Sequence, residues 1–214
     1  MAPTVPPPRP PLPDGGIAQR AAGDSRATWA AWYEDELGWA TVTAPGEPVL
    51  LRAGLHFDVL ELPADAGRAV LRRIGPTGPV VLHGRRMRLL VAAGSAEEVP
   101  GLLEWLEWGS LPLDLRAIGP GSLITAPAPP GTPPCGPGRP GGAAVWLRPP
   151  APADEMELTL PAFDGFGGAG RGGRRAAPDL VRLLAAAATE CHRARLIVNT
   201  ALSKERQTQP LAFS

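Results

Sequence analysis

The sequence predicts a mixed α/β (α+β) domain with a ferredoxin/RRM-like split βαβ core, and three observations carry that expectation. Apolar residues recur at helical spacing in some segments, and they alternate or run continuously in others. These segments succeed one another as β–α–β–β–α–β, with a helix in front, extra strands behind and a further helix at the end. All of this lies between proline- and glycine-rich breakers, for the 214 residues include 28 Pro and 26 Gly. The packed core is therefore smaller than the length suggests.

Residues 1–25 hold seven prolines before Asp14 and are expected to be disordered, partly polyproline II. The spacings Pro7/Pro10 and Pro10/Pro13 fit a PxxP ligand as well as a solvated tail. The domain is expected over 26–150. Ala27 to Leu37 reads as a helix with Trp29, Trp32 and Tyr33 on one face and Gly38 as its stop. Pro48 to Arg52 is a short strand. Leu55 to Leu62 is mostly apolar, as a central strand is. Pro63 to Ile74 opens on proline and places Ala66, Val70 and Ile74 on one face, which predicts a helix. Pro79 to His83 and Arg86 to Ala92 form a hairpin around Gly84. Ser95 is placed to cap a helix with Glu97 and Glu98 in its first turn and Val99, Leu102, Leu103 and Leu106 inside. Leu113 to Ile118, Ser122 to Ala126 and Ala143 to Leu147 complete the strands. Residues 126–142 are expected to be a long Pro/Gly loop, 151–177 a Gly/Arg-rich linker, 178–198 an Ala-rich amphipathic helix and 199–214 a tail.

Charge bounds the partners. The 21 basic and 21 acidic side chains cancel, whereas wrapping duplex DNA takes a basic excess to neutralise phosphates. Any nucleic-acid contact must be local. Cys135 and Cys191 are too few for a disulfide framework and read as free thiols. No stretch approaches the ~20 apolar residues of a membrane span, and Met1 to Pro13 lacks the apolar core of a secretion signal. The expectation is a cytoplasmic protein without a membrane partner.

Five segments, WYEDELGWATVTAPGEPVLL, GLHFDVLELPADAG, RMRLLVAAG, LDLRAIGPGSLITAPAPP and AAVWLRPP, occur in that order across about Trp29 to Pro150. In them the chain resembles the N-terminal domain of actinobacterial bifunctional DNA primase/polymerases, the prim-pol branch of the archaeo-eukaryotic primase superfamily. The resemblance implies an RRM-like core that binds a nucleotide and Mg2+ or Mn2+ and extends or initiates a strand. It implies an acidic pair at i and i+2 on the first core strand, a further Asp on a later strand, and a hairpin His on nucleotide phosphate. Such chemistry clusters carboxylates around metals roughly 4 Å apart.

The motifs are degenerate. The first strand offers Asp58 and Glu61, and Pro63 takes the place of the second family acid. Side chains alternate along a strand, so Asp58 and Glu61 point to opposite faces and cannot grip one metal without a bulge. The family His falls on Met87 or Arg88. Alternation puts Arg86 and Arg88 on one face, either to hold a phosphate bidentately or to pair with Asp58 or Glu61. Asp114 and Arg116 share a face, as a surviving site carboxylate with a phosphate-binding arginine or as a surface pair. An active site would use Asp58, Glu61 and Asp114, with Asp114 and Glu61 on metal. His56, His83 and His192 show no metal-ligand spacing.

GFGGAGRGGRR contains an RGG-like pattern that fits single-stranded nucleic acid or a linker. Trp105 and Trp108 read as packing residues or base-stacking platforms. Three functions remain open. One is a non-catalytic, stand-alone primase/polymerase-like domain that binds nucleotide or single-stranded nucleic acid or regulates a partner. The second is an active metal-dependent DNA primase/polymerase. The third is a protein-interaction module working through 1–25 and 178–198.

Overall fold

In the computed structural model, which describes residues 25–75, 77–132, 143–163 and 179–207, the first helix, α1, covers residues 25–37. Its last turn, Trp32–Glu36, is π-helical. Trp29, Tyr33 and Leu37, four residues apart, are buried, while Trp32 is half-buried. The short strands β1 (Thr41–Val42) and β2 (Leu50–Arg52) follow. Next come β3 (Phe57–Pro63), α2 (Ala64–Ile74), β4 (Val80–His83), β5 (Arg86–Ala92), α3 (Ser95–Trp105) and β6 (Arg116–Ile118). The chain continues with β7 (Leu123–Thr125), β8 (Ala144–Arg148), α4 (Ala153–Thr159) and α5 (Leu180–Gln207).

The fold is mixed α/β with two antiparallel sheets. Five strands lie in the order β6-β3-β5-β4-β8 and three in the order β1-β2-β7. The apolar run of β3 makes it a central strand, paired along its length with β5 and on its other side with β6. A two-residue turn joins β4 to β5, and Gly84 takes φ 58 there, the left-handed conformation such hairpins require.

Each face of the large sheet carries its own core. Leu60, Leu62, Met87, Leu89 and Val91 point to one side, where α2, α3 and α5 cover them with Val70, Val99, Leu102, Leu183 and Leu184. Phe57, Val59, Val81 and Leu90 point to the other, against Trp29, Tyr33, Trp39, Leu51, Ile124, Met156 and Leu160. The Tyr33 hydroxyl donates to the Pro127 carbonyl at 2.7 Å, tying α1 to the chain after β7.

Four expectations change. Residues 151–177, read as linker, contain α4, whose Met156 and following Leu160 are buried in the second core. The last helix does not stop at 198 but continues to Gln207, through the start of the expected tail. Ser95 is the first helical residue rather than the cap; Gly94 holds the cap position and no side-chain cap bond comes from it. The strand expected from Leu113 is regular only from Arg116. The proline-rich tail to residue 24, Cys135 and the GFGGAGRGGRR run lie outside the described residues. Among the described residues no helix is long and apolar enough to cross a membrane.

Candidate functional site

The candidate residues lie along β3 and beside it, and divide between its two faces, as strand alternation requires. Asp58 lies on the helix-covered face and is fully buried. Its Oδ2 accepts the Ala96 N–H at 2.8 Å, in the first turn of α3. A strand carboxylate thus satisfies a helix-end donor that Ser95 was expected to satisfy, and it lies at the positive end of the helix dipole. Its Oδ1 is buried without a hydrogen-bond partner. Burial raises the Asp58 pKa, and the backbone N–H groups of Ala96 and Gly94 only partly oppose that rise. This residue caps a helix and cannot reach the opposite face.

Glu61 is on that opposite face, opposed across the ladders by Arg88 of β5 and Arg116 of β6. Its Oε2 takes Arg88 Nε at 2.8 Å and its Oε1 lies 3.4 Å from Arg86 Nε. Both Glu61 and Arg88 side chains are only 12% exposed, so this pair is largely out of water. Arg86 also sends Nη1 to both oxygens of Asp114 at 2.7 Å. Asp114 therefore pairs with Arg86, not with Arg116 as a surface pair. Its carboxylate is 63% exposed. Met87, the alternative place for the family His, points into the helix-side core.

Glu61, Arg86, Arg88 and Asp114 thus form one network, to which Asp58 does not belong. Arg116 stands beside it with no ion-pair partner among the described residues. It lines an open pocket of about 380 Å3 with Glu61, Arg88, Ile118 and Ser122. Arg88 Nη1 is buried with nothing to donate to. A buried guanidinium nitrogen without an acceptor is costly, but it is out of reach of solvent, and the guanidinium open to an anion in the pocket is that of exposed Arg116. Two carboxylates against three guanidiniums leave the assembly with one positive charge.

The residues do not fit the Mg2+ or Mn2+ pair that the family resemblance implies. Asp58 is committed to α3, and every carboxylate oxygen of Glu61 and Asp114 is already held by an arginine. Among the described residues no group of three or more His, Cys, Asp or Glu is arranged to hold a metal ion. His56 is exposed and His83 half-buried, while the His192 ring lies 5.8 Å from that of Trp108. Trp105 is exposed at the end of α3, away from the lining of this pocket.

Sequence reasoning placed Arg86 and Arg88 on one face and left open whether Asp58 or Glu61 pairs with them, but missed Arg86 as the hub. No local signal marks it, because its two carboxylates come from β3 and from the segment before β6. It also missed Asp58 as a cap, since the helix it caps begins 37 residues later, at Ser95. Compared with known proteins, the chain matches no family model, no curated protein and no solved structure.

Proposed function

We propose that this chain is a catalytically silent primase/polymerase-like domain of the cytoplasm that binds a phosphate-bearing ligand, a nucleotide or single-stranded nucleic acid, at the Arg88–Arg116 pocket. The order β6-β3-β5-β4, with α2 and α3 as crossovers, supports the ferredoxin/RRM-like arrangement expected of such a domain. The observation that carries the reading is the Arg86 guanidinium between the carboxylates of Glu61 and Asp114. The two acids expected to hold divalent metal for nucleotidyl transfer are instead held by an internal cation. The unpaired Arg116, exposed at the pocket, supplies the binding half of the proposal.

The test is fluorescence anisotropy with a labelled single-stranded oligonucleotide and a labelled nucleoside triphosphate, beside a primer-extension assay in Mg2+ and Mn2+. The expected result is salt-sensitive binding and no extension. Arg116→Ala, at an exposed position, lowers affinity and reduces the slope against log salt by about one. Arg86→Ala with Arg88→Ala weakens binding further. Extension by the wild type overturns the silent half. Absence of binding, or affinity indifferent to Arg116, overturns the other.

A further inference from the structure

On the far side of the Arg86–Asp114 pair lies a second and larger cavity, of about 730 Å3. Its floor and walls are mostly apolar, with Pro63 and Pro112 on the sheet side and Ala194, Ile197 and Val198 on α5. The Cys191 thiol also faces it, with its pKa pushed up to about 12, chiefly by burial. The apolar surface does not end at the cavity. Leu196, Ile197 and Val198, consecutive on α5, are 51%, 70% and 56% exposed. Three successive residues sweep more than half the circumference of a helix, and a helix apolar on that many sides is normally covered.

The charges at the rim say what covers it. Of the two acids there, Asp65 is paired with Arg68 at 3.1 Å and Asp114 with Arg86 at 2.7 Å. Arg85 has no ion-pair partner among the described residues. Arg195 donates to the Pro112 carbonyl at 2.5 Å, which orients its guanidinium without neutralising it. The rim is therefore cationic around an aliphatic trough. Among the described residues no aromatic side chain lines it, so they offer unstacked bases no platform, and a phosphate backbone has no use for the aliphatic floor. The exposed apolar residues continue past the cavity, which calls for an occupant longer than a small molecule.

We infer that this trough is a docking surface for an acidic amphipathic segment of a partner protein, its apolar side chains in the cavity and along Leu196–Val198, its carboxylates on Arg85 and Arg195. This is the helix-in-groove mode of recognition, with rim charges setting on-rate and specificity. It does not depend on the phosphate pocket.

The probe is a fluorescent peptide of about 14 residues, four helical turns, with Leu at i, i+3, i+4 and i+7 and Glu elsewhere. A second peptide carries Lys in place of Glu. The expected result is saturable binding of the acidic peptide to the full chain and at least about tenfold weaker binding of the basic one. Ile197→Glu abolishes binding. Arg85→Glu with Arg195→Glu weakens the acidic peptide about tenfold and improves the basic one. All these positions are exposed, and unchanged circular dichroism confirms that the variants fold. No acidic-peptide binding, or equal binding of both peptides, overturns the inference. A wild-type dimer by light scattering that Ile197→Glu makes monomeric overturns it in favour of a second copy. Loss of oligonucleotide binding in the Arg85→Glu, Arg195→Glu variant overturns it in favour of nucleic acid.

Discussion

Glu61 and Asp114 are both held by Arg86, yet water reaches them very differently, and that difference sets what each is worth. Glu61 and its Arg88 partner are 12% exposed, whereas Asp114 is 63% exposed. Removing one member of a largely buried pair leaves an uncompensated charge and costs about 3 kcal/mol or more. An exposed pair contributes about 1 kcal/mol at most. Glu61→Ala should therefore lower stability in urea denaturation by about 3 kcal/mol and Asp114→Ala by less than about 1 kcal/mol; equal losses would contradict this account. Asp58 carries a pH signature of its own. Its folded-state pKa lies above the ordinary 3.8 because the carboxylate is buried. Below that value both states are protonated and nothing is lost; as pH rises through the folded pKa, the folded protein must hold a buried charge and stability falls. The Asp58 contribution to the melting temperature should thus decline above about pH 4, so the slope of melting temperature against pH should be less negative, or more positive, in Asp58→Asn than in the wild type. An unchanged slope would place the cause elsewhere. Alternation along β3 was enough to separate Asp58 from Glu61 before any coordinates. The Arg86–Asp114 pair was not legible, because it depends on which strand lies beside which.

Among the elements, α2 shows how a local preference is overruled. Gly67 sits inside that helix, where alanine would be favoured by about 1 kcal/mol on propensity alone. A Cβ at Gly67 would meet Met87 Sδ at 2.3 Å and Met87 Cβ at 2.8 Å. The glycine is what lets α2 lie close on β5. Gly67→Ala should destabilise by about 1–3 kcal/mol, the cost of overpacking a filled core, measured by thermal denaturation. A gain in stability would show that propensity wins. The existence of α2 was readable from its apolar spacing and its opening proline, but its depth was not. The same limit hid α4, a seven-residue helix in a proline-rich stretch. Its only packing signals are Met156 and Leu160, too few to establish a helical period. The α3 cap was misread for another reason: Ser95 has the right chemistry, but Gly94 with φ 86 occupies the cap position and a carboxylate from β3 supplies the bond.

At the scale of the whole molecule, the last helix has two parts with different roles. Leu180, Leu183, Leu184, Ala187 and Cys191 are buried in the core that also holds α2 and α3. Leu196, Ile197 and Val198, beyond them, are exposed. The apolar stripe of this helix was legible in the sequence, but not whether it faces its own domain or a partner. In the structure the first half closes the helix layer over β3 and β5, and beyond it Leu196–Val198 are exposed. A helix that served only a partner could be removed from a folded core; the first half of α5 cannot. Its three fully buried leucines alone contribute about 2 kcal/mol each, against a total margin of about 5–15 kcal/mol for an ordinary domain. Removing residues 179–214 should therefore abolish cooperative unfolding. Ending the chain after Asn199 should preserve cooperativity and change stability by no more than about 1 kcal/mol. Denaturant titration of the two truncations decides it. If the shorter chain still unfolds cooperatively, the helix layer is complete without α5, and the whole helix rather than its exposed half becomes available to a partner.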